Sequence, residues 1–177
     1  TEKLVTSVRF VEKDVTFNFC GFNITPFEVP HDGTDNVGYH IEVGGTIFCF
    51  VTDLGHITEK VSSYIEKANY LILEANYDEE MLKGGHYPKF LKERITSPLG
   101  HLSNKTTAKF LAEHITEDLK NVWLCHLSGE NNHPELAYKT VEYELRGVGV
   151  IPGVDVQVTA LKRNSPSELY EFEISEY

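Results

Sequence analysis

The hydrophobic period of this chain changes near its middle, and that change leaves few architectures open. As far as Val51 the apolar residues fall in β-branched and aromatic runs: LVTSVRFV, VTFNFC, FNITPFEV, VGYHIEV and TIFCFVT. Lys13-Asp14 and Gly21 break them, and Gly44-Gly45 between VGYHIEV and TIFCFVT is a two-residue hairpin signal. From Thr58 onward helical patterns alternate with apolar strands. Thr58 is placed to cap EKVSSYIEKA, which puts Val61, Tyr64 and Ile65 on one face. NYLILEA reads as a buried strand. Helices are expected over Asp78–Lys83, over Pro88–Ile95, from Ser103-Asn104 to about Thr116, and over Pro134–Arg146. VWLCHLS, VDVQVTAL and YEFEIS complete the expected strands. Strands first, then strands alternating with helices, predict a layered α/β fold. With no repeat, low-complexity tract or linker-like break, residues 1–177 read as a single domain.

Charge and cysteine content narrow the function classes. The chain has 27 Asp and Glu against 16 Lys and Arg, a formal charge of −11, so a general nucleic-acid-coating role is excluded. An enzyme cutting phosphodiesters is not, because bound cations invert the local field. No apolar run approaches the roughly 20 residues of a membrane helix. TEKLVTSVRF lacks the basic-then-apolar pattern of a secretory signal. Cys20, Cys49 and Cys125 are an odd number of widely spaced cysteines in apolar runs. They predict reduced, buried thiols and a cytoplasmic protein.

Three metal-ligating residue types stand where strands end: His31 after ITPFEVP, Asp53 after TIFCFVT, and His126 closing VWLCH. Ligand sites of layered α/β folds collect at strand ends. Two imidazoles and a carboxylate suit zinc and similar cations. A histidine at a strand end is more often only hydrogen-bonded, however, and Asp before Leu-Gly is more often a turn former.

The flanking residues shift that balance. Pro30-His31-Asp32, Asn36-Val37-Gly38-Tyr39 and Thr52-Asp53-Leu54-Gly55 resemble consecutive metal-site motifs of the metallo-β-lactamase fold superfamily. Downstream, in order, come LILEANYD with Glu74 and Asn76, then Tyr87-Pro88, then Leu91-Lys92. Gly100-His101-Leu102-Ser103-Asn104 and His126-Leu127-Ser128 follow, with Glu130-Asn131-Asn132 and Pro134-Glu135-Leu136-Ala137 after them. The ordered set is similar to the YycJ-type (WalJ-type) bacterial hydrolases of that superfamily, over roughly residues 24–140. The resemblance implies an αββα sandwich and two divalent metal ions, zinc first and manganese or iron as alternatives. It makes His31 a ligand of the first metal, Asp53 the bridging carboxylate and His126 a ligand of the second. His101 matches a position that protonates the leaving group, although it reads equally as part of a helix-entry loop. Glu74 and Asn76 would orient the ligands from behind. The implied reaction is hydrolysis by a hydroxide activated between the two metals, on a phosphodiester of nucleic acid or a nucleotide. A lactone, thioester or β-lactam is the alternative substrate.

One motif of the superfamily is missing. His-x-His-x-Asp-His, which supplies two ligands to each metal, has no match here, and no two of the eight histidines are separated by one residue. The N-terminal ββα portion of the fold is also largely absent. The chain is therefore expected to correspond to the C-terminal two-thirds of such a protein. By itself it should bind metal weakly, catalyse poorly and leave one sheet face without its covering layer. A catalytically inactive fragment, or a structural or interaction domain, is the competing reading.

Overall fold

The computed structural model describes residues 10–172. Its strands are β1 (Phe17–Phe19), β2 (Phe22–Glu28), β3 (Val37–Val43), β4 (Thr46–Val51), β5 (Tyr70–Glu74), β6 (Asn121–Cys125) and β7 (Gln157–Ala160). They form one seven-stranded sheet in sequence order. β1 to β4 pair antiparallel, and β4 to β7 run parallel. The Gly44-Gly45 hairpin forms as expected: both residues have positive φ, the conformation a two-residue turn demands. The change of period in the sequence is thus the change from antiparallel meander to parallel crossover.

Among the described residues five helices occupy the crossovers and connections: α1 (Glu59–Ile65), α2 (Glu79–Gly84), α3 (Lys89–Ile95), α4 (Asn104–His114) and α5 (Pro134–Gly147). Side-chain caps start four of them, His133 at α5 and three ordinary capping residues at α1, α2 and α4. Thr58 accepts from the Val61 amide, Asp78 from those of Glu80 and Met81, and Ser103 from that of Thr106. Alternate residues of the central strands, Cys49 and Val51, Leu71 and Leu73, Val122 and Leu124, point to one face. There they meet Val61 and Ile65 of α1, Ala108 and Leu111 of α4, and Ala137, Val141 and Leu145 of α5. Tyr77, Leu82 and Ile95 form a second small core with α2 and α3.

The opposite face carries Phe48, Phe50, Tyr70, Ile72 and Trp123, and Phe50 is still 38% exposed. Here one expectation needs correcting. The described part of YEFEIS, Tyr170–Phe172, is irregular and not a strand, and the rest lies outside the described residues. Its aromatics lie on the sheet face instead of pairing at an edge. Phe172 meets Phe48 and Tyr70 edge-on, and Tyr170 meets Trp123. Burying a ring against apolar strands outweighs adding a short edge strand. LVTSVRFV lies mostly outside the described residues, and its last two residues are irregular.

The expectation of three buried thiols holds for two. All three cysteines are free, but Cys20 is exposed, in the β1–β2 turn at φ +51°. Burial pushes the thiols of Cys49 and Cys125 up to about 12. A thiol reagent at pH 8 should therefore label Cys20 quickly, and the other two only after unfolding. Fast labelling of three thiols in the native state, read by mass spectrometry, would contradict this packing.

Candidate metal centre

The three strand-end residues meet at the carboxyl edge of the parallel half of the sheet. Asp53 lies two residues past β4, Glu74 is the last residue of β5, and His126 directly follows β6. His31 arrives from the loop after β2. Asp53 Oδ1 sits between two imidazoles, 3.8 Å from His31 Nε2 and 3.5 Å from His126 Nε2. Asp53 and His126 both adopt the left-handed backbone conformation, at φ +56° and +57°. For residues with a Cβ this is an uncommon and costly state, and such states concentrate at functional sites.

Glu74 holds that geometry. It is fully buried, and its Oε2 accepts from the Leu54 amide at 3.0 Å, fixing the peptide that follows Asp53. Its Oε1 lies 2.6 Å from His101 Nδ1 and 3.3 Å from His126 Nδ1. Burial alone would push the Glu74 carboxyl up, but the contacts to His101 and His126 and the Leu54 amide outweigh it, and its proton affinity ends below the ordinary value. The Glu74 hydrogen bond raises the pKa of His126; burial opposes this, and Arg163 is a cation acting against it. Asn76 donates from Nδ2 to the His126 carbonyl at 2.8 Å and so braces the left-handed turn. His31 donates from Nδ1 to the Gly100 carbonyl at 2.9 Å when Nδ1 carries the proton, which leaves Nε2 facing Asp53.

His101 enters on a loop pressed close to Asp53. A Cβ on Gly100 would run into the carbonyls of Arg94 and Ile95, and one on Gly55 into that of Pro98. Glycine at 55 lets the Asp53 loop approach the His101 loop, and glycine at 100 lets the His101 loop fold against the end of α3. The His101 ring stands 4.9 Å from that of His31 and 5.2 Å from that of His126, measured between centroids. The helix-entry reading is satisfied too, but by Ser103, two residues on.

Two donor groups result. His31, Asp53 and His101 each offer an atom within 4.8 Å of the others, and so do Glu74, His101 and His126. Imidazole nitrogens with carboxylate oxygens are the donor chemistry of a divalent transition-metal site, so the residues present fit such an ion. His56 does not enter the site: its Nδ1 bonds the Pro98 carbonyl. His133 is exposed, and its side chain caps α5 by accepting from the Glu135 amide.

A buried asparagine pair, whose roles the sequence did not disclose, supports the site from below. Asn132 Nδ2 donates to the carbonyls of Ala75 and Asn76, and Asn104 and Asn132 exchange two side-chain bonds of 2.8 Å. Asn132→Ala would orphan several buried groups, each costing about 1–3 kcal/mol. We expect a loss of about 3 kcal/mol in denaturant unfolding; a loss below about 0.5 kcal/mol would contradict the role.

Comparison with known proteins agrees with this architecture. Residues 2–127 match the family model described as the beta-lactamase superfamily domain. The chain belongs to that family. It is 34% identical over 160 residues to Exodeoxyribonuclease YycJ of Bacillus anthracis, covering 89% of this chain and 59% of that protein. It is equally similar to Exodeoxyribonuclease WalJ of Streptococcus pneumoniae, covering 90% and 60%. The chain thus spans about 60% of the length of these curated relatives. Among solved structures, the metallo-beta-lactamase fold protein YhfI from Bacillus subtilis aligns with a TM-score of 0.62 at 18% identity, over 92% of this chain and 56% of that one. The fold expected from the sequence is borne out.

Proposed function

We propose that this chain carries the hydrolytic site of a metal-dependent phosphodiesterase acting on DNA. The observation that carries the reading is Asp53 Oδ1 lying between His31 and His126, with Asp53 and His126 in strained backbone conformations. The relatives at 34% identity, both named exodeoxyribonucleases, support the substrate class. His31, Asp53 and His126 would hold divalent metal, zinc being the first candidate. When bound, such an ion supplies Lewis acidity and a water of lowered pKa. The rest is the chain's own work. Glu74 orients His101 and His126 and fixes the Leu54 amide; Asn76 braces His126. With Nδ1 of His101 held by the Glu74 carboxylate, the doubly protonated ring would carry its second proton on Nε2 and could give it to the departing oxygen, leaving the neutral ring still bonded to Glu74. Among the described residues no helix is long and apolar enough to cross a membrane, and with free thiols we place the protein in the cytoplasm.

The test supplies zinc or manganese and compares an end-labelled single-stranded oligodeoxynucleotide with a lactone and a β-lactam. Slow stepwise shortening of the oligonucleotide, abolished by EDTA, is expected, since the chain lacks the His-x-His-x-Asp-His ligands. Turnover of the lactone or β-lactam with an intact oligonucleotide would overturn the phosphodiester reading.

A further inference from the structure

The segment after β7 brings two cations to the site that the metal cluster does not use. Leu161 donates its amide to the Leu124 carbonyl at 2.8 Å, extending the parallel β6–β7 pairing by one residue. That bond sets Lys162 and Arg163 beside the His126 turn. With Asn76, His126 and Leu161 they wall a cavity of about 340 Å³, within the roughly 300–1,000 Å³ of small-molecule sites. The Arg163 side chain lies over Gly129 in the loop after His126. Its Nη1, Cδ and Cζ are 3.6 to 3.8 Å from the point a Gly129 Cβ would occupy. Among the described residues neither cation makes an ion pair, although carboxylates outnumber Lys and Arg 27 to 16. In so acidic a chain, two uncommitted cations facing a cavity at the His126 edge form a local reversal of the field.

We propose that Lys162 and Arg163 grip a backbone phosphate of the nucleic-acid strand, next to the phosphodiester being cut. This rests on the phosphodiesterase reading and assigns the residues that position its substrate. The Arg163 guanidinium offers a two-pronged donor fork matched to phosphate oxygens, and Lys162 a point charge beside it. Neither touches the reacting atoms; their effect is on where the strand lies relative to Asp53 and His126.

The experiment measures binding without turnover. A fluorescein-labelled single-stranded deoxyhexanucleotide is titrated with the protein in EDTA, and anisotropy is followed at several salt concentrations. Arg163→Ala should raise Kd about tenfold, the loss of one charge-assisted contact. It should also flatten the slope of log K against log salt by about 0.7, the value of one released phosphate contact on a single strand. Arg163→Lys should keep the slope while recovering only part of the affinity, and Lys109→Ala on α4 should change neither. Binding whose Kd and slope are both unchanged by Arg163→Ala and by Lys162→Ala would overturn the grip alone. No binding by the wild type would also overturn the grip, while the phosphodiester reading is decided separately by the metal-supplied oligonucleotide assay.

Discussion

Asp53→Asn should leave the fold in place and remove the activity. Asparagine occupies the left-handed conformation about as readily as aspartate, and the Asp53 side chain is 39% exposed. Stability should therefore change by no more than about 0.5 kcal/mol. The amide oxygen that replaces the carboxylate between His31 and His126 is a poor metal ligand. A metal's stabilisation of transition-state charge is worth several kcal/mol, and each 1.4 kcal/mol is about tenfold, so the loss should be at least about 10²-fold in kcat. Turnover within a few-fold of wild type at full metal occupancy would show that Asp53 does not hold metal.

The second large effect is expected at His101. Its Nδ1 is engaged by Glu74, and its ring stands between those of His31 and His126. A proton delivered from Nε2 to an alkoxide leaving group is worth about 10²–10⁴ in rate. His101→Ala should cost that much on a DNA strand and far less on bis(p-nitrophenyl) phosphate, whose leaving group departs without help. Metal content should not change. Because His101 belongs to both donor groups, this control decides the matter: loss of a metal equivalent would make it a ligand. Equal losses on both substrates would leave it a structural residue of the loop.

How far the sequence discloses such a site depends on how local each determinant is. Caps are local chemistry, and Thr58, Asp78 and Ser103 start helices where their side chains say they should. The placement of His31, Asp53 and His126 at strand ends was legible for a similar reason, since apolar runs mark the strands that precede them. The orienting role of Glu74 came only from the family resemblance, and its particular partners were not legible. Its contacts to Leu54, His101 and His126 span 20, 27 and 52 positions and arise only once β4, β5 and β6 lie parallel. No motif marks Lys162 and Arg163, because only the β6–β7 pairing brings them to His126. YEFEIS misled for the converse reason. Its alternation fits a strand and equally fits rings laid on a sheet face, and only the uncovered Phe48, Tyr70 and Trp123 decide between the two.

Zinc titration of the protein by calorimetry decides whether the carboxyl edge of the parallel strands gathers a metal centre. Weak but saturable binding is expected, which Asp53→Asn and His126→Ala each weaken by tenfold or more, while His133→Ala, at the cap of α5, leaves it unchanged. Absence of saturable binding, or binding that survives both site substitutions intact, would contradict it.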